Sequence, residues 1–172
     1  MSIAADYLGM RLELDAHDVE NTTYFKYCAL HEFRLQACRA CGLIRYPPGT
    51  GCPWCSCPDA DWVAVEGRGS VHSYTEVHHA IQPAFKSFVP YVVLLVDLDT
   101  QKGRPTEHEA LRIVGNFTTA DGALAPRELV RKVGIGTRVR MVFRDIAPGL
   151  SLPQWTVDEA ATQPPPWRYP AG

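Results

Sequence analysis

The sequence predicts a mainly β protein with an N-terminal helix, in which a zinc ribbon is followed by an OB-like β-barrel. Two Cys-x-x-Cys pairs separated by ten residues predict the ribbon. Five or so strand-like segments, a glycine-marked bend in the first and a short helix before the last predict the barrel. We expect four parts: an N-terminal arm and helix at 1–35, the zinc ribbon at 36–61, the OB-fold barrel at 62–150 and a Pro/Trp-rich arm at 151–172.

Composition and charge exclude several classes of protein. An apolar fraction of 46% in 172 residues supplies enough side chains for a core. The net charge of −2 argues against a general nucleic-acid binder, and no apolar run has the length of a membrane span. No signal peptide opens the sequence, and free thiols beside a zinc site are typical of a reducing compartment. We therefore expect a cytoplasmic protein that contacts no membrane.

The N-terminal part is predicted to contain one helix. Residues 1–20 show little periodicity and are expected to be an arm whose order depends on what it touches. Asn21 is the expected N-cap, and Phe25, Ala29 and Phe33 recur at helical spacing. Tyr24 and Cys28 widen the same apolar stripe. We expect this helix to pack on the ribbon or on a partner. From Phe33 the apolar period changes to two, which predicts a strand leading to the first cysteine pair.

The two cysteine pairs can place four thiolates at the corners of a tetrahedron, about 2.3 Å from one Zn²⁺. The predicted ligands are Cys38, Cys41, Cys52 and Cys55. Because four thiolates leave no open coordination position, such a zinc is structural and not catalytic. Cys57 lies close enough in sequence to compete with Cys55, whereas Cys28 is expected to be a buried thiol.

Two other uses of cysteine pairs fit the sequence less well. A disulfide framework is typical of short secreted chains, and a thioredoxin-type site needs one Cys-x-x-Cys beside a βαβ pattern. Here the two pairs flank a short strand and a Pro/Gly turn. The pattern therefore indicates a zinc ribbon.

The predicted barrel strands alternate with turn signals after the ribbon. They lie at 62–77, 91–98, 111–118 and 137–144, with a polar hairpin loop at 100–109 and a short helix at 126–133. Gly67 and Gly69 mark a bulge or sharp coil in the first strand. The continuous apolar run 91–98 predicts a strand buried on both faces, and the alternating 137–144 predicts a half-exposed final strand. The arm after Ser151 is expected to lie on a surface.

The titratable residues of the barrel do not assemble into a catalytic set. The candidates are His72, Glu76, His78, His79, Asp97 and His108. Adjacent His78 and His79 point to opposite sides of a strand and cannot easily share one ion. No Ser/His/Asp or Cys/His arrangement can be built, so we expect catalysis to lie elsewhere.

Several motifs together resemble one family, over about residues 22–155. They are Cys-Arg-Ala-Cys-Gly at 38–42, Tyr-Pro-Pro at 46–48, Cys-Pro-Trp-Cys at 52–55, Trp62, Gly-Arg-Gly-Ser-Val-His-Ser-Tyr-Thr at 67–75, Pro-Tyr at 90–91, Val-Asp-Leu at 96–98 and Ile-Gly at 135–136. This combination is similar to the zinc-ribbon OB-fold family, formerly a domain of unknown function, that is associated with acyl-CoA enzymes of the thiolase superfamily. The 100–110 loop and the C-terminal arm depart from the family pattern.

The resemblance implies an N-terminal helix, a rubredoxin-like ribbon holding one structural Zn²⁺ and a C-terminal OB barrel. It also implies an accessory subunit of a thiolase-fold enzyme, such as a thiolase or a retro-aldolase. The partner carries the catalytic residues, the acyl-CoA substrate is shared, and we expect a heterotetramer around a thiolase-like dimer. The 83–91 loop offers apolar walls and a cation for acyl-CoA or partner contact, or else caps the barrel. Its candidate residues are Phe85, Lys86, Phe88 and Tyr91.

A single-stranded nucleic-acid-binding protein is the alternative function. It requires aromatic platforms along a basic groove. Aromatic residues are present near 74–91, but Lys86 is the only basic residue among them apart from the histidines. This charge pattern favours the accessory subunit, without nucleic acid as a partner.

Overall fold

The computed structural model describes residues 3–170 and confirms a mainly β fold with an N-terminal helix. The strands and helices are β1 (Ile3–Tyr7), β2 (Met10–Leu14), α1 (Val19–Ala29), β3 (Arg34–Cys38), β4 (Ile44–Arg45), β5 (Ala60–Ala64), β6 (Arg68–Val77), a 3₁₀ helix (Pro83–Phe88), β7 (Tyr91–Leu98), β8 (Arg112–Asn116), α2 (Arg127–Val130), β9 (Arg138–Ala147) and β10 (Leu150–Val157). None of the helices in this described part has the length and apolar character needed to cross a membrane.

The chain forms two compact units. The first comprises the chain up to Gly67 with Thr100–Leu111 and Asp145–Leu152. It contains the β1–β2 hairpin, α1 and the sheet that carries the cysteines. The second comprises Arg68–Asp99, Arg112–Arg144 and the chain from Pro153 onward, and it contains most of the barrel.

Residues 3–14, where we expected an arm whose order depends on what it touches, form a β-hairpin. β1 and β2 pair antiparallel, with Tyr7 opposite Met10. The turn residues Leu8 and Gly9 both have positive φ, 57° and 85°, as a type I′ hairpin turn requires. Leucine rarely adopts this conformation, so the turn lacked the usual sequence signal.

Helix α1 begins earlier than predicted. Its N-cap is Asp18 and not Asn21, because the Asp18 carboxylate accepts the backbone N–H of Asn21 at 3.0 Å. Of the predicted stripe, the helix buries Tyr24 and Cys28, whereas Phe25 and Ala29 are only half-buried. The Tyr24 ring lies 5.9 Å from the Tyr46 ring. The helix therefore packs on the ribbon, which is one of the two arrangements that we expected.

The ribbon sheet has the strand order β4-β3-β5. The stretch predicted as one strand at 62–77 is therefore two strands in different sheets. Its first part belongs to β5 and pairs with β3, with Trp62 opposite Gln36. Gly67 then adopts φ 68°, a left-handed conformation that breaks the strand before β6.

The five-stranded sheet has the order β10-β9-β6-β7-β8. Along the chain, the short helix α2 lies between β8 and β9, which are the third and fourth strands of this sheet in sequence order. This is the helix position of an OB fold. A parallel bridge between Phe117 and Trp155 joins the two outer strands, with the Thr118 N–H donating to the Trp155 carbonyl at 2.7 Å. The strand predicted to be last is thus followed by β10. The sequence did not predict β10, because it contains Pro153 and proline is tolerated only in edge strands or bulges.

The first barrel strand contains the predicted irregularity, but the bulge lies between Val71 and Ser73. Gly69 has another role: a Cβ there would lie 2.2 Å from the carbonyl oxygen of Asp97 on β7. β7 itself alternates between fully buried and half-buried residues, so only one of its faces is fully buried, contrary to the prediction. Its buried residues are Val92, Leu94, Val96 and Leu98.

Candidate metal centre

The four predicted cysteine ligands converge at one end of the ribbon. The sulfur atoms of Cys38, Cys41, Cys52 and Cys55 all lie within 4.8 Å of one another. Cys38 Sγ is 3.5 Å from Cys55 Sγ, and Cys41 Sγ is 3.6 Å from Cys52 Sγ. A tetrahedral ion with Zn–S bonds of about 2.3 Å requires edges of about 3.8 Å. The cluster therefore fits a zinc ion, and it is the only such group in residues 3–170.

The two Cys-x-x-Cys segments fold in the same way. In the first, the Gly42 N–H donates to the Cys38 carbonyl at 2.9 Å, and in the second, the Ser56 N–H donates to the Cys52 carbonyl at 2.9 Å. Both donors have a left-handed backbone, with φ of 73° at Gly42 and 61° at Ser56. Ser56 thus takes the conformation that glycine usually provides after such a pair.

Backbone N–H groups point toward the sulfur atoms. The Cys38 sulfur accepts hydrogen bonds from the backbone of Cys41 and, more weakly, Ala40, and these lower the pKa of Cys38 to about 6. The Cys55 sulfur accepts the N–H of Cys57. The neighbouring cysteine sulfurs act in the opposite direction on Cys55 and raise its pKa to about 12. The backbone N–H groups are thus the part of the arrangement that favours the thiolate form, which metals bind.

The remaining two cysteines lie outside the cluster. Cys57 places its sulfur 3.8 Å from the carbonyl of Asp59 and supplies only backbone groups to the second cysteine segment. Cys28 is fully buried in α1, and this burial raises its pKa to about 12. The expectation that Cys28 is a buried thiol is confirmed.

A buried polar network supports the loop between the two cysteine pairs. The side-chain oxygen of Gln36 accepts hydrogen bonds from Arg45 Nε at 2.9 Å and from the Gly49 N–H at 2.8 Å. Arg45 also donates to the Gly49 carbonyl at 2.8 Å. Both side chains are almost fully buried. The sequence analysis missed this network, although an arginine within a short apolar ribbon strand was a signal for it.

The 100–110 loop belongs to the same unit as the ribbon. The amide of Gln101 brackets the exposed edge of β4: its oxygen accepts the Ile44 N–H at 2.6 Å, and its nitrogen donates to the Ile44 carbonyl at 2.8 Å. The loop thus extends the ribbon sheet through one side chain, which satisfies backbone groups at the sheet edge.

The 83–91 loop is built on a 3₁₀ helix and divides its side chains between core and surface. Phe85 is buried, and its ring lies 5.2 Å from the ring of Tyr91. Phe88 is 39% exposed, and Lys86 is also exposed. Of the four contact candidates, Lys86 and Phe88 are therefore accessible from solvent.

Most of the other titratable candidates contact a neighbouring acidic or basic side chain instead of forming a reactive set. His72 Nδ1 lies 3.1 Å from one oxygen of Asp97, whose second oxygen is 2.7 Å from Arg112 Nε. His78 lies 3.3 Å from Glu76. His79 and His108 are exposed.

A further cluster, which the sequence analysis did not identify, joins His31, Asp145 and Ser151. His31 Nε2 and Ser151 Oγ both contact Oδ1 of Asp145, at 2.8 Å and 2.5 Å. Because the serine donates to the carboxylate and not to the histidine, the histidine is not positioned to remove its proton.

Comparisons with known proteins identify relatives of this chain. Residues 62–144 match the C-terminal OB-fold domain of ChsH2. The probable enoyl-CoA hydratase alpha subunit of Thermomonospora curvata is 35% identical over 134 residues, which cover 78% of this chain and 36% of the relative. The 3-oxo-4,17-pregnadiene-20-carboxyl-CoA hydratase alpha subunit of Mycobacterium tuberculosis is 33% identical over 129 residues, which cover 75% of this chain and 35% of the relative. The chain thus spans about a third of the length of these relatives.

A solved structure extends the likeness to a complete chain. A chain of the Ltp2-ChsH2(DUF35) aldolase superposes with a TM-score of 0.64 and is 33% identical. The match covers 84% of this chain and 98% of that chain. These relatives are subunits of hydratase and aldolase complexes. Because one third of the residues are identical over almost the whole of a ChsH2(DUF35) aldolase chain, and because the OB-fold domain matches separately, this protein belongs to the ChsH2/DUF35 family.

Proposed function

We propose that this chain is the accessory subunit of a thiolase-fold acyl-CoA enzyme that forms or cleaves C–C bonds, by thiolase or retro-aldolase chemistry. The observation that carries the proposal is the 33% identity over 98% of a chain in the Ltp2-ChsH2(DUF35) aldolase. The partner carries the catalytic residues and the acyl-CoA is the shared substrate. The assembly is a heterotetramer around a dimer of the partner.

The proposed role of the ribbon is structural. Cys38, Cys41, Cys52 and Cys55 hold one Zn²⁺, and their four sulfurs leave no position for water or substrate. When bound, the ion contributes folding free energy to the ribbon. The Gln36–Arg45 network then holds the loop between the two cysteine pairs in the conformation that the ion needs.

The absence of a reactive set supports a non-catalytic role. His31 and Ser151 both contact Asp145 Oδ1, and the Ser151 hydroxyl donates its proton to that carboxylate. The Cys28 thiol, with its raised pKa, is buried and unreactive. A subunit with these features contributes to substrate binding and assembly while another chain performs the chemistry.

We propose that the 83–91 loop contacts the acyl-CoA or the partner. The exposed face of Phe88 offers an apolar surface to the acyl or pantetheine part, and Lys86 offers a cation to the phosphates. Phe85 and Tyr91 support the loop from beneath through their 5.2 Å ring contact. This division of roles leaves Lys86 and Phe88 as the residues to test.

The proposal is tested by purifying the tagged full chain from its native host and identifying co-purifying proteins. We expect a thiolase-fold protein, and the complex, but not the partner alone, should convert acyl-CoA at full rate. The Cys41→Ser variant should lose both zinc and partner, whereas Cys57→Ser should retain both. A full chain that contains zinc but recovers no partner and does not stimulate the candidate enzyme would contradict the proposal.

A hydratase subunit is a second candidate, because two relatives at 35% and 33% identity are hydratase alpha subunits. This chain spans about a third of the length of these relatives, so the proposal concerns the part of a hydratase subunit that it matches. Mass spectrometry of the products separates the candidates. Hydration adds one water to a single acyl-CoA product, whereas retro-aldol cleavage gives two products.

A further inference from the structure

The barrel unit contains a cavity of about 500 Å³ that is unrelated to the cysteine cluster and to the 83–91 loop. Its apolar wall includes Phe117, Leu129, Val133 and Val157. These residues come from the end of β8, from α2 and the residues after it, and from the end of β10. The volume lies within the range of small-molecule sites, roughly 300–1,000 Å³.

The C-terminal segment 158–170, here called the strap, forms one side of this cavity through Pro164 and Pro166. Three consecutive prolines at 164–166 have no N–H groups, so the strap presents a stiff surface without backbone donors to the cavity. This wall suits an apolar ligand rather than a polar one.

The strap is anchored on both sides of its prolines. Before them, the Gln163 side chain accepts the Arg138 N–H at 2.9 Å and donates to the Arg138 carbonyl at 3.0 Å. After them, Trp167 pairs with Ile135 through backbone hydrogen bonds of 2.8 Å and 2.9 Å. Gly134 permits this approach, because a Cβ there would lie 2.4 Å from the Trp167 carbonyl oxygen.

Arg168 strengthens the second anchor. Its guanidinium donates to the Val130 carbonyl at 2.6 Å and to Glu76 at 2.7 Å, and it lies over the Tyr74 ring at 5.2 Å. The strap is thus a fixed wall of the cavity and not a loose tail.

The charged residues of the cavity select the ligand. Lys132, Arg140 and Glu159 line it, and their side chains form no ion pair or hydrogen bond with another residue of the described part of the chain. Two cations against one carboxylate leave a net charge of +1 beside an apolar wall. Such a site attracts an anion with a single charge.

Thr156 adds a hydroxyl to the same cavity. The residue is only 6% exposed, and no hydrogen bond of its hydroxyl is found within residues 3–170. Its oxygen is not among the buried atoms that lack a partner, so the hydroxyl is open to the cavity. A ligand oxygen there can accept its proton.

From these observations we propose that the cavity binds an amphiphilic carboxylate, with its apolar body between the strap and the barrel wall. Its carboxylate pairs with Lys132 and Arg140 and accepts the Thr156 hydroxyl. This site is independent of the proposed accessory function, because it lies wholly in the barrel unit and needs no partner enzyme.

Isothermal titration of the full chain with sodium dodecanoate tests the proposal. We expect one site, and dodecan-1-ol, which lacks the charge, should bind at least about tenfold more weakly. The double variant Lys132→Gln/Arg140→Gln should weaken dodecanoate binding about tenfold or more, since it removes both charge-assisted hydrogen bonds. Glu159→Gln should strengthen it several-fold. Arg131→Gln is the matched control, because Arg131 is exposed on the same segment and does not line the cavity.

Four outcomes would overturn the proposal. They are no binding of dodecanoate up to about 1 mM, equal binding of dodecan-1-ol, an affinity that the Lys132/Arg140 double variant and Glu159→Gln leave unchanged, and tighter binding of dodecyl phosphate than of dodecanoate. The last result would assign the site to a phosphate headgroup instead of a carboxylate. We expect the circular dichroism spectrum of each variant to match that of the wild type, because the three charged side chains form no ion pair that stabilises the fold.

Discussion

Cys55 and Cys57 are two residues apart, yet their replacement by serine should have opposite effects on zinc binding. The Cys55 sulfur lies in the cluster, 3.5 Å from the Cys38 sulfur, whereas the Cys57 sulfur points to the Asp59 carbonyl. Serine preserves the shape of either side chain but is a poor zinc ligand. We therefore expect Cys55→Ser to lose zinc and Cys57→Ser to retain one equivalent.

The expected magnitude follows from the number of ligands. Structural zinc sites bind with about 10–16 kcal/mol at neutral pH. If four similar thiolates share this energy, each accounts for about 3 kcal/mol, so loss of one should weaken the affinity about a hundredfold. The two Sγ–Sγ distances of 3.5 Å and 3.6 Å are close to the edge of about 3.8 Å that a tetrahedral zinc site requires.

The assay is the zinc content of protein prepared without chelators, followed by competition with a chelating dye. We expect about one equivalent for the wild type and for Cys57→Ser, and less than about half for Cys55→Ser. Comparison of the double variant Cys55→Ser/Cys57→Ser with Cys55→Ser shows whether Cys57 binds zinc in place of Cys55 in the single variant. A Cys57→Ser protein that loses as much zinc as Cys55→Ser would refute the assignment of the fourth ligand.

The remaining predictions concern the fold, pH and the 83–91 loop. Gly69→Ala should destabilise the protein by about 3 kcal/mol in urea unfolding, because the added Cβ would lie 2.2 Å from a carbonyl oxygen of β7. Gly51→Ala is the control and should change stability by less than about 1 kcal/mol, because no atom lies within 4 Å of its added Cβ. Burial of Cys28 raises its pKa to about 12, so the unfolded chain ionises first and stability should fall as pH rises from 9 toward 12; this fall should be smaller in Cys28→Ala. Phe88→Ala should raise the KM of the complex for bulky acyl-CoAs and leave zinc content unchanged, whereas Phe85→Ala should also lower stability, because Phe85 is buried.

Each of these expectations has a result that contradicts it. Equal unfolding midpoints for Gly69→Ala and Gly51→Ala would show that β6 and β7 do not approach so closely. Identical alkaline stability profiles for wild type and Cys28→Ala would remove Cys28 as the titrating group. A wild-type KM in Phe88→Ala would mean that the 83–91 loop only covers the barrel.

Local sequence signals predicted the metal ligands and most of the strands. The Cys-x-x-Cys spacing identified all four sulfurs of the cluster, because each pair lies within one turn of chain whose geometry is almost independent of the rest. The alternation at 33–38 and the apolar run at 91–98 predicted the existence of β3 and β7 but not their burial, since Gln36 is buried in β3 and β7 is fully buried on one face only. The boundaries of the helix and of the first barrel strand were less accurate, since Asp18 and Gly67 act through side-chain and backbone conformations that many sequences share.

What the sequence alone determined is the zinc ribbon, the β-rich barrel and the family to which they belong, since these depend on residues close together in the chain. Only the tertiary structure revealed β10, the Gln36–Arg45 network and the cavity beneath the strap. Each of these brings together residues from separate segments, as when the N–H of Thr118 meets the carbonyl of Trp155 at 2.7 Å. Such pairings are decided by which strand edges and buried polar groups find partners when the whole chain packs, and no local pattern encodes that choice.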